Sequence, residues 1–132
     1  MSPKKLPTRP GDRAEAVGRR RIAERYLDAA RSTLGEDGAS INVSIGVAVL
    51  AGIAAGDAIC IAALGERYSG HDHAAAADLL TRVDKALGRR LHELVALKGP
   101  AHYGQTLLSP RDRDRALKAA SILVDAARKR TA

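Results

Sequence analysis

SINVSIGVAVLAGIAAGDAICIAAL, from Ser40 to Leu64, decides the fold. It carries one charge, Asp57, and the rest of the chain is more polar. Such a run must be covered by its own chain or by lipid, because apolar surface in water is unfavourable. Its first third is ambiguous. Ile41, Val43, Ile45, Val47 and Val49 alternate as in a strand. No second β-rich run stands ready to pair with them, and a lone strand leaves its backbone groups unsatisfied. The run also continues through Leu50, Ile53, Ile59, Ile61 and Leu64, which is too long for a strand. The remaining reading is a central helix, apolar nearly all round.

A membrane span competes for the same residues. About 20 apolar residues suffice to cross a bilayer, and Gly52 and Gly56 form a small-xxx-small pair. Against this, an aspartate near the bilayer centre costs roughly 2.5–3.5 kcal/mol. The amphipathic segments on either side also need a core to pack on. The run is therefore read as the core of a helical bundle, with no membrane partner.

Outward from this helix the pattern is helical on both sides. Before it, Ile22, Ala23, Tyr26, Leu27, Ala30 and Leu34 recur at spacings of three and four, and Gly35 ends the segment that begins at Arg13. Ser40 is placed to cap the central helix. After it, Gly65 to Gly70 is a connection. Asp72 can cap a third helix with Ala76, Leu79, Leu80 and Val83 inward. Asp84 offers a second cap, so this helix either continues or restarts through Leu87, Leu91, Leu94 and Val95. Gly99-Pro100 interrupts it after Lys98. Ser109-Pro110-Arg111-Asp112 is a strong start signal for the last helix, whose inner positions are Leu117, Ala120, Ser121, Val124 and Ala127.

The fold expected is all-α: an up-and-down bundle of four main helices, the third split in two or continuous, over residues 13–130. Composition agrees. The apolar residues are Ala, Leu, Val and Ile, with no Phe or Trp, which favours closely packed helices over sheets. Residues 1–12, with Pro3, Pro7 and Pro10, are expected to form a disordered basic arm. They carry no secretory signal, so a cytoplasmic location is expected. The single Cys60 excludes an internal disulfide and a multi-cysteine zinc site, and its place in the apolar run makes it an inert core thiol.

The formal net charge is +7, and it is unevenly distributed. Lys4, Lys5 and Arg9 lie in the arm; Arg13, Arg19 and Arg20 lie on the first helix; Arg128, Lys129 and Arg130 end the last. If the first and last helices run antiparallel side by side, these groups converge into one basic patch. Such a patch suits nucleic acid, whose phosphates any sequence presents alike. The absence of Phe and Trp argues against a base-stacking platform.

The succession AAGDAICIAALGERYSGHDHAAAADLLTRV (residues 54–83), followed by ALKGPAHYG (residues 96–104), resembles the HEPN superfamily of small helical bundles. The resemblance covers roughly residues 13–128 and rests on helix order and on the HDH and HY markers. It implies metal-independent endoribonucleases, toxins with nucleotidyltransferase-type antitoxin partners, or non-catalytic RNA- and nucleotide-binding relatives, commonly as homodimers. The active members carry Arg, four to six residues, then His. His102 matches the His and Tyr103 the aromatic that often follows. The Arg positions hold Val95, Ala96 and Leu97, and Lys98 lies one place too close. His102, Lys98 and Tyr103 are thus the candidate catalytic set, with little or no cleavage expected, because an ammonium does not replace a bidentate guanidinium.

Two further polar features stand out. Asp57 within the apolar helix requires a partner: His102, His71 or an arginine of the first helix. His71 and His73 are spaced to chelate, but no third ligand is specified, so Asp72 capping a helix is the preferred reading and no metal is expected. No phosphate-binding glycine loop, dinucleotide fingerprint or nucleophile elbow is present, and no cofactor is expected. The function expected is RNA or nucleotide binding by a homodimer, alone or with an antitoxin-type partner. The alternative is a dimeric protein-interaction or DNA-binding bundle without catalysis.

Overall fold

The computed structural model describes residues 5–33, 35–103 and 108–132; Lys4, Leu34 and the side chains of His102 and Tyr103 lie outside the described residues. The chain is an all-α bundle with a two-stranded clip at one end.

The Ser40–Leu64 run lies within one helix, α2 (Gly38–Leu64). Asp37 caps it by accepting from the Ser40 N–H at 2.9 Å, so the helix starts two residues before the expected Ser40 cap. Gly65 ends it in the left-handed conformation at φ 71°, where a side chain would be strained. The strand-like alternation dissolves on helix geometry. Ile41, Ile45 and Val49 fall on one buried face, while Val43 points the other way and is 56% exposed.

Before α2 runs α1 (Arg13–Ser32), capped by Asp12. Their antiparallel register is fixed by Arg19 on Asp57 and by the Ser44 hydroxyl donating to the Ala30 carbonyl at 2.8 Å. The last helix, α6 (Pro110–Arg130), opens with the expected capping box of Ser109 and Asp112 and with Pro110 in its first turn. Arg113 reaches the Gly35 carbonyl at one end, and Arg13 reaches the Ala132 carbonyl at the other. So α6 lies antiparallel to α1, as expected, and runs in the same direction as α2. Those two parallel helices pack directly on one another. Alanines allow this: Ala116, Ala119, Ala120 and Ala127 of α6 are buried, as are Ala48, Ala51, Ala54, Ala55 and Ala58 of α2.

The third helix is two helices. α3 (His73–Val83) and α4 (Lys85–Ala96) are separated by Asp84 alone. The Asp84 N–H donates to Leu80 at the end of α3, and its carboxylate accepts from the Leu87 N–H to start α4. With φ −156° and ψ 113° at this residue, α4 folds back along α3. His92 bonds Asp78 across the hairpin, and Gly88 lies against Thr81. α4 then fills the remaining side of the core, with Leu91 and Leu94 facing Gly52 of α2. Leu97 ends α4, and a short helix, α5 (Lys98–Tyr103), follows. The Gly99-Pro100 pair therefore sits inside the first turn of a new helix, where proline's missing N–H is harmless. The break falls one residue earlier than expected.

The N-terminal residues correct the expectation of a disordered arm through residue 12. β1 (Thr8–Pro10) pairs antiparallel with β2 (Glu66–Tyr68), in the register Thr8 to Tyr68 and Pro10 to Glu66. Leu6 is buried, and Thr8 donates to the Glu66 carboxylate at 3.0 Å. Three residues of connection supply the partner edge, and one leucine anchors the clip. Composition alone weighed the prolines and missed both.

α2 is long and apolar enough to cross a membrane, but 67% of its most apolar window is buried against its own chain. Among the described residues, the large hydrophobic side chains that are exposed, Ile22, Tyr26, Val43, Leu50 and Leu64, all belong to α1 and α2.

The hairpin gives a stability test. A Cβ at Gly88 would lie 2.6 Å from the Thr81 Cα, on backbone that cannot swing aside. Gly88→Ala gains about 1 kcal/mol in helix propensity but overpacks the hairpin by roughly 1–3 kcal/mol. Urea unfolding is expected to show a net loss, whereas Gly18→Ala, with open space at its Cβ, raises the midpoint.

Candidate functional site

The basic residues of α1 and α6 do come together, but acids are interleaved among them. Arg20 and Arg128 both bond Glu24, at 3.0 and 2.9 Å. Lys129 pairs with Asp125 at 3.1 Å, and Arg130 with Asp84 at 3.0 Å. Partial burial opposes the Glu24 charge, yet the hydrogen bonds from Arg128 and Arg20 outweigh it and hold the carboxyl below its ordinary range. Arg13 is engaged by the chain's last carbonyl. Lys5 and Arg9 are exposed near the clip. The seam is cationic, but much of its charge is already answered within the fold.

Asp57 takes its partner from α1: Arg19 Nη2 donates to its carboxylate at 2.9 Å. Burial dominates and pushes the carboxyl above its ordinary value, although Arg19 and Arg67 both pull it down. Arg19 Nε is buried without a hydrogen-bond partner, a further cost of the arrangement. One turn on, burial and then the charges of Asp57 and Glu66 push the Cys60 thiol up to about 12. This thiol is not a nucleophile near neutral pH.

The hairpin and α5 build something the sequence did not announce. His71, Asp72 and His73 before and at the start of α3, His92 and Val95 on α4, and Lys98 on α5 line one open cleft of about 450 Å³. Each is positioned by local structure. The Asp72 carboxylate caps α3 by accepting from Ala74 N–H at 3.0 Å, and its own N–H donates to the Tyr68 hydroxyl. Asp78 lies 2.9 Å from His92 Nε2 and so fixes the orientation of that ring. Burial, and after it the Lys98 ammonium, hold the His73 imidazole below its ordinary value, while Asp72 pulls the other way. A neutral imidazole beside a fixed ammonium can accept a proton or a hydrogen bond next to a bound anion.

Lys98 and His102 are positions i and i+4 of the single helix α5, not segments turned apart by Gly99-Pro100. The side chains of His102 and Tyr103 lie outside the described residues. His92 was missed because its meeting with Asp78, 14 residues away, exists only once the hairpin closes. Among the described residues no cluster of three or more His, Cys, Asp or Glu is close enough to hold a metal ion. Lys98 is the one permanent cation among the cleft's described lining residues, and Asp72 the one carboxylate.

No protein-family model matches the chain, and no curated protein matches it in sequence.

The Arg19–Asp57 pair yields a prediction with a definite sign. Arg19→Ala leaves a buried carboxylate without its hydrogen-bonded partner and is expected to cost on the order of 3 kcal/mol at neutral pH. Asp57→Asn removes the desolvated charge, keeps an acceptor for Arg19, and costs less. Because the folded Asp57 value is raised above the ordinary 3.8, the folded state holds its proton longer than the unfolded state. The Asp57 contribution to stability therefore falls as pH rises from about 3.8 through the raised value, against the opposite contributions of Glu24, Asp37 and Asp112, whose values are lowered. Urea melts across that window are expected to show the stability of the wild type declining relative to that of Asp57→Asn as pH rises.

Proposed function

We propose that this chain is a HEPN-like module that binds RNA or a nucleotide, with its phosphate site in the cleft between α3, α4 and α5. One observation carries the reading: Lys98 shares that open cleft with His71, His73 and His92. The HDH marker of the resemblance, residues 71–73, lines this cleft, and so does Lys98, the residue four places before His102. The chain's formal charge of +7 adds a general attraction for polyanions. Phosphate contacts of this kind hold a backbone without reading its sequence.

Cleavage is not part of the proposal. The Arg positions of the family's ribonuclease motif hold Val95, Ala96 and Leu97. Losing one well-placed electrostatic donor typically lowers a rate about 100- to 1,000-fold. Lys98 supplies charge, but not the planar two-point grip of a guanidinium.

A second reading has its own support. Ile22, Tyr26, Val43 and Leu50 are exposed on the adjoining helices α1 and α2, apolar surface of the kind a protein partner would cover. A homodimer or an antitoxin-type partner would cover it. Sedimentation at tens of micromolar is expected to show a dimer that Val43→Asp with Leu50→Asp converts to monomer; an unchanged monomer in the wild type removes this reading.

The main test is binding of a labelled single-stranded RNA near pH 6.5 at two salt concentrations. Lys98→Gln is expected to weaken binding and to reduce the salt slope by roughly 0.7, the value for one phosphate left unneutralised. The same RNA, incubated without metal, is expected to remain intact. Equal binding by wild type and Lys98→Gln rejects the cleft as the site. Cleavage that disappears in His102→Ala rejects the non-catalytic assignment.

A further inference from the structure

The cleft's charges do not have a fixed sum. Lys98 contributes one permanent positive charge. One carboxylate among the described residues lines it: Asp72, which also caps α3. With all three imidazoles neutral, the lining charges of Lys98 and Asp72 cancel. With His71, His73 and His92 protonated, the lining is net positive. Asp78, which holds His92, and Arg82 and Arg89, one turn beyond Asp78 and one turn before His92, carry charges of both signs on the same hairpin and are not among the lining residues. Glu93 faces α6, where it borders a separate cavity with Asp112 and Arg115.

We infer that this cleft is a proton-gated phosphate site: protonation of His71, His73 and His92 takes its lining from neutral to positive, so that it attracts a phosphodiester more strongly as pH falls. The inference rests on the reading that the cleft binds RNA phosphate, and it adds when that binding occurs. The three rings come from different elements but converge on one open space of about 450 Å³, so they can act on one bound anion. The Asp78 carboxylate at 2.9 Å steadies His92 as a donor. His73, held below the ordinary imidazole value by burial and by Lys98, adds its proton at the acid end and widens the response. Lys98 sets a floor of attraction, and the histidines set the gain.

The test uses the full chain and a labelled uridine oligonucleotide. Uracil and phosphodiesters do not titrate between about pH 5.5 and 8, so any change belongs to the protein, in the range where histidine is the side chain that ordinarily titrates. At constant ionic strength, wild-type affinity is expected to rise at least about tenfold from pH 8 to pH 5.5. The salt slope is expected to steepen by roughly 0.7 for each additional phosphate neutralised. The triple variant His71→Gln, His73→Gln, His92→Gln is expected to lose that rise. Lys98→Gln is expected to weaken binding at every pH while keeping the rise. Circular dichroism at each pH checks that the fold persists. Should the triple variant fail to fold, His71→Gln with His73→Gln at the start of α3 takes its place, with a reduced rise expected. An affinity that is flat with pH in the wild type, or a rise fully retained in the histidine variant, overturns the gating while leaving RNA binding in place. No binding at any pH overturns both.

Discussion

Covering α2 is the constraint on which the rest of the structure depends. A helix with one charged residue in 27 cannot face water along its length, so every other element is arranged to shield it. Five flanking helices cannot all reach an axis ringed by large side chains. The chain solves this with small residues: Gly52 and Gly56 admit Leu91, Leu94 and Leu80, and facing alanines let α6 lie directly along α2. That close approach makes dispersion contacts dense without Phe or Trp. The one charge, Asp57, is tied to Arg19 and remains a net burden on stability, since burial outweighs its attraction to the arginines. What the pair contributes is register: it fixes which turn of α1 faces which turn of α2.

The same constraint explains which parts were legible in the sequence. Helices came through because their periodicity and caps are local: Asp72, Asp84 and the Ser109–Asp112 box all cap as their positions indicate. The antiparallel placement of α1 and α6 followed from short connections. What was not legible depends on one dihedral or on a distant partner. Asp84 can cap a continuing helix or a reversed one; only its extended backbone distinguishes them. The β1–β2 clip is three residues on each side, too short to carry an alternating pattern. Val43, counted with its neighbours in the alternating run, turns away from them once the helix forms and is left in solvent.

The site shows the same division. Charge counting along the chain pointed to α1 and α6, where cations are most numerous. Folding brought those cations together but also brought Glu24, Asp84 and Asp125 among them. The cleft is the reverse case: few charges, inconspicuous in sequence, gathered by the hairpin reversal and the break at Leu97. His92 has no nearby partner in the sequence and acquires Asp78 only through the fold. A phosphate ligand is better served by groups with spare bonding capacity than by arginines already engaged, because binding there breaks no existing pair.

The most direct measurement is a map of backbone amide shifts by nuclear magnetic resonance while a uridine oligonucleotide is titrated into the protein near pH 6. If the cleft is the anion site, the largest changes fall on residues 71–74 and 92–99, and those of α1 and the end of α6 stay small. Changes concentrated instead on residues 13–25 and 128–130, with the cleft silent, contradict the cleft as the phosphate site and return it to the basic seam of the two outer helices.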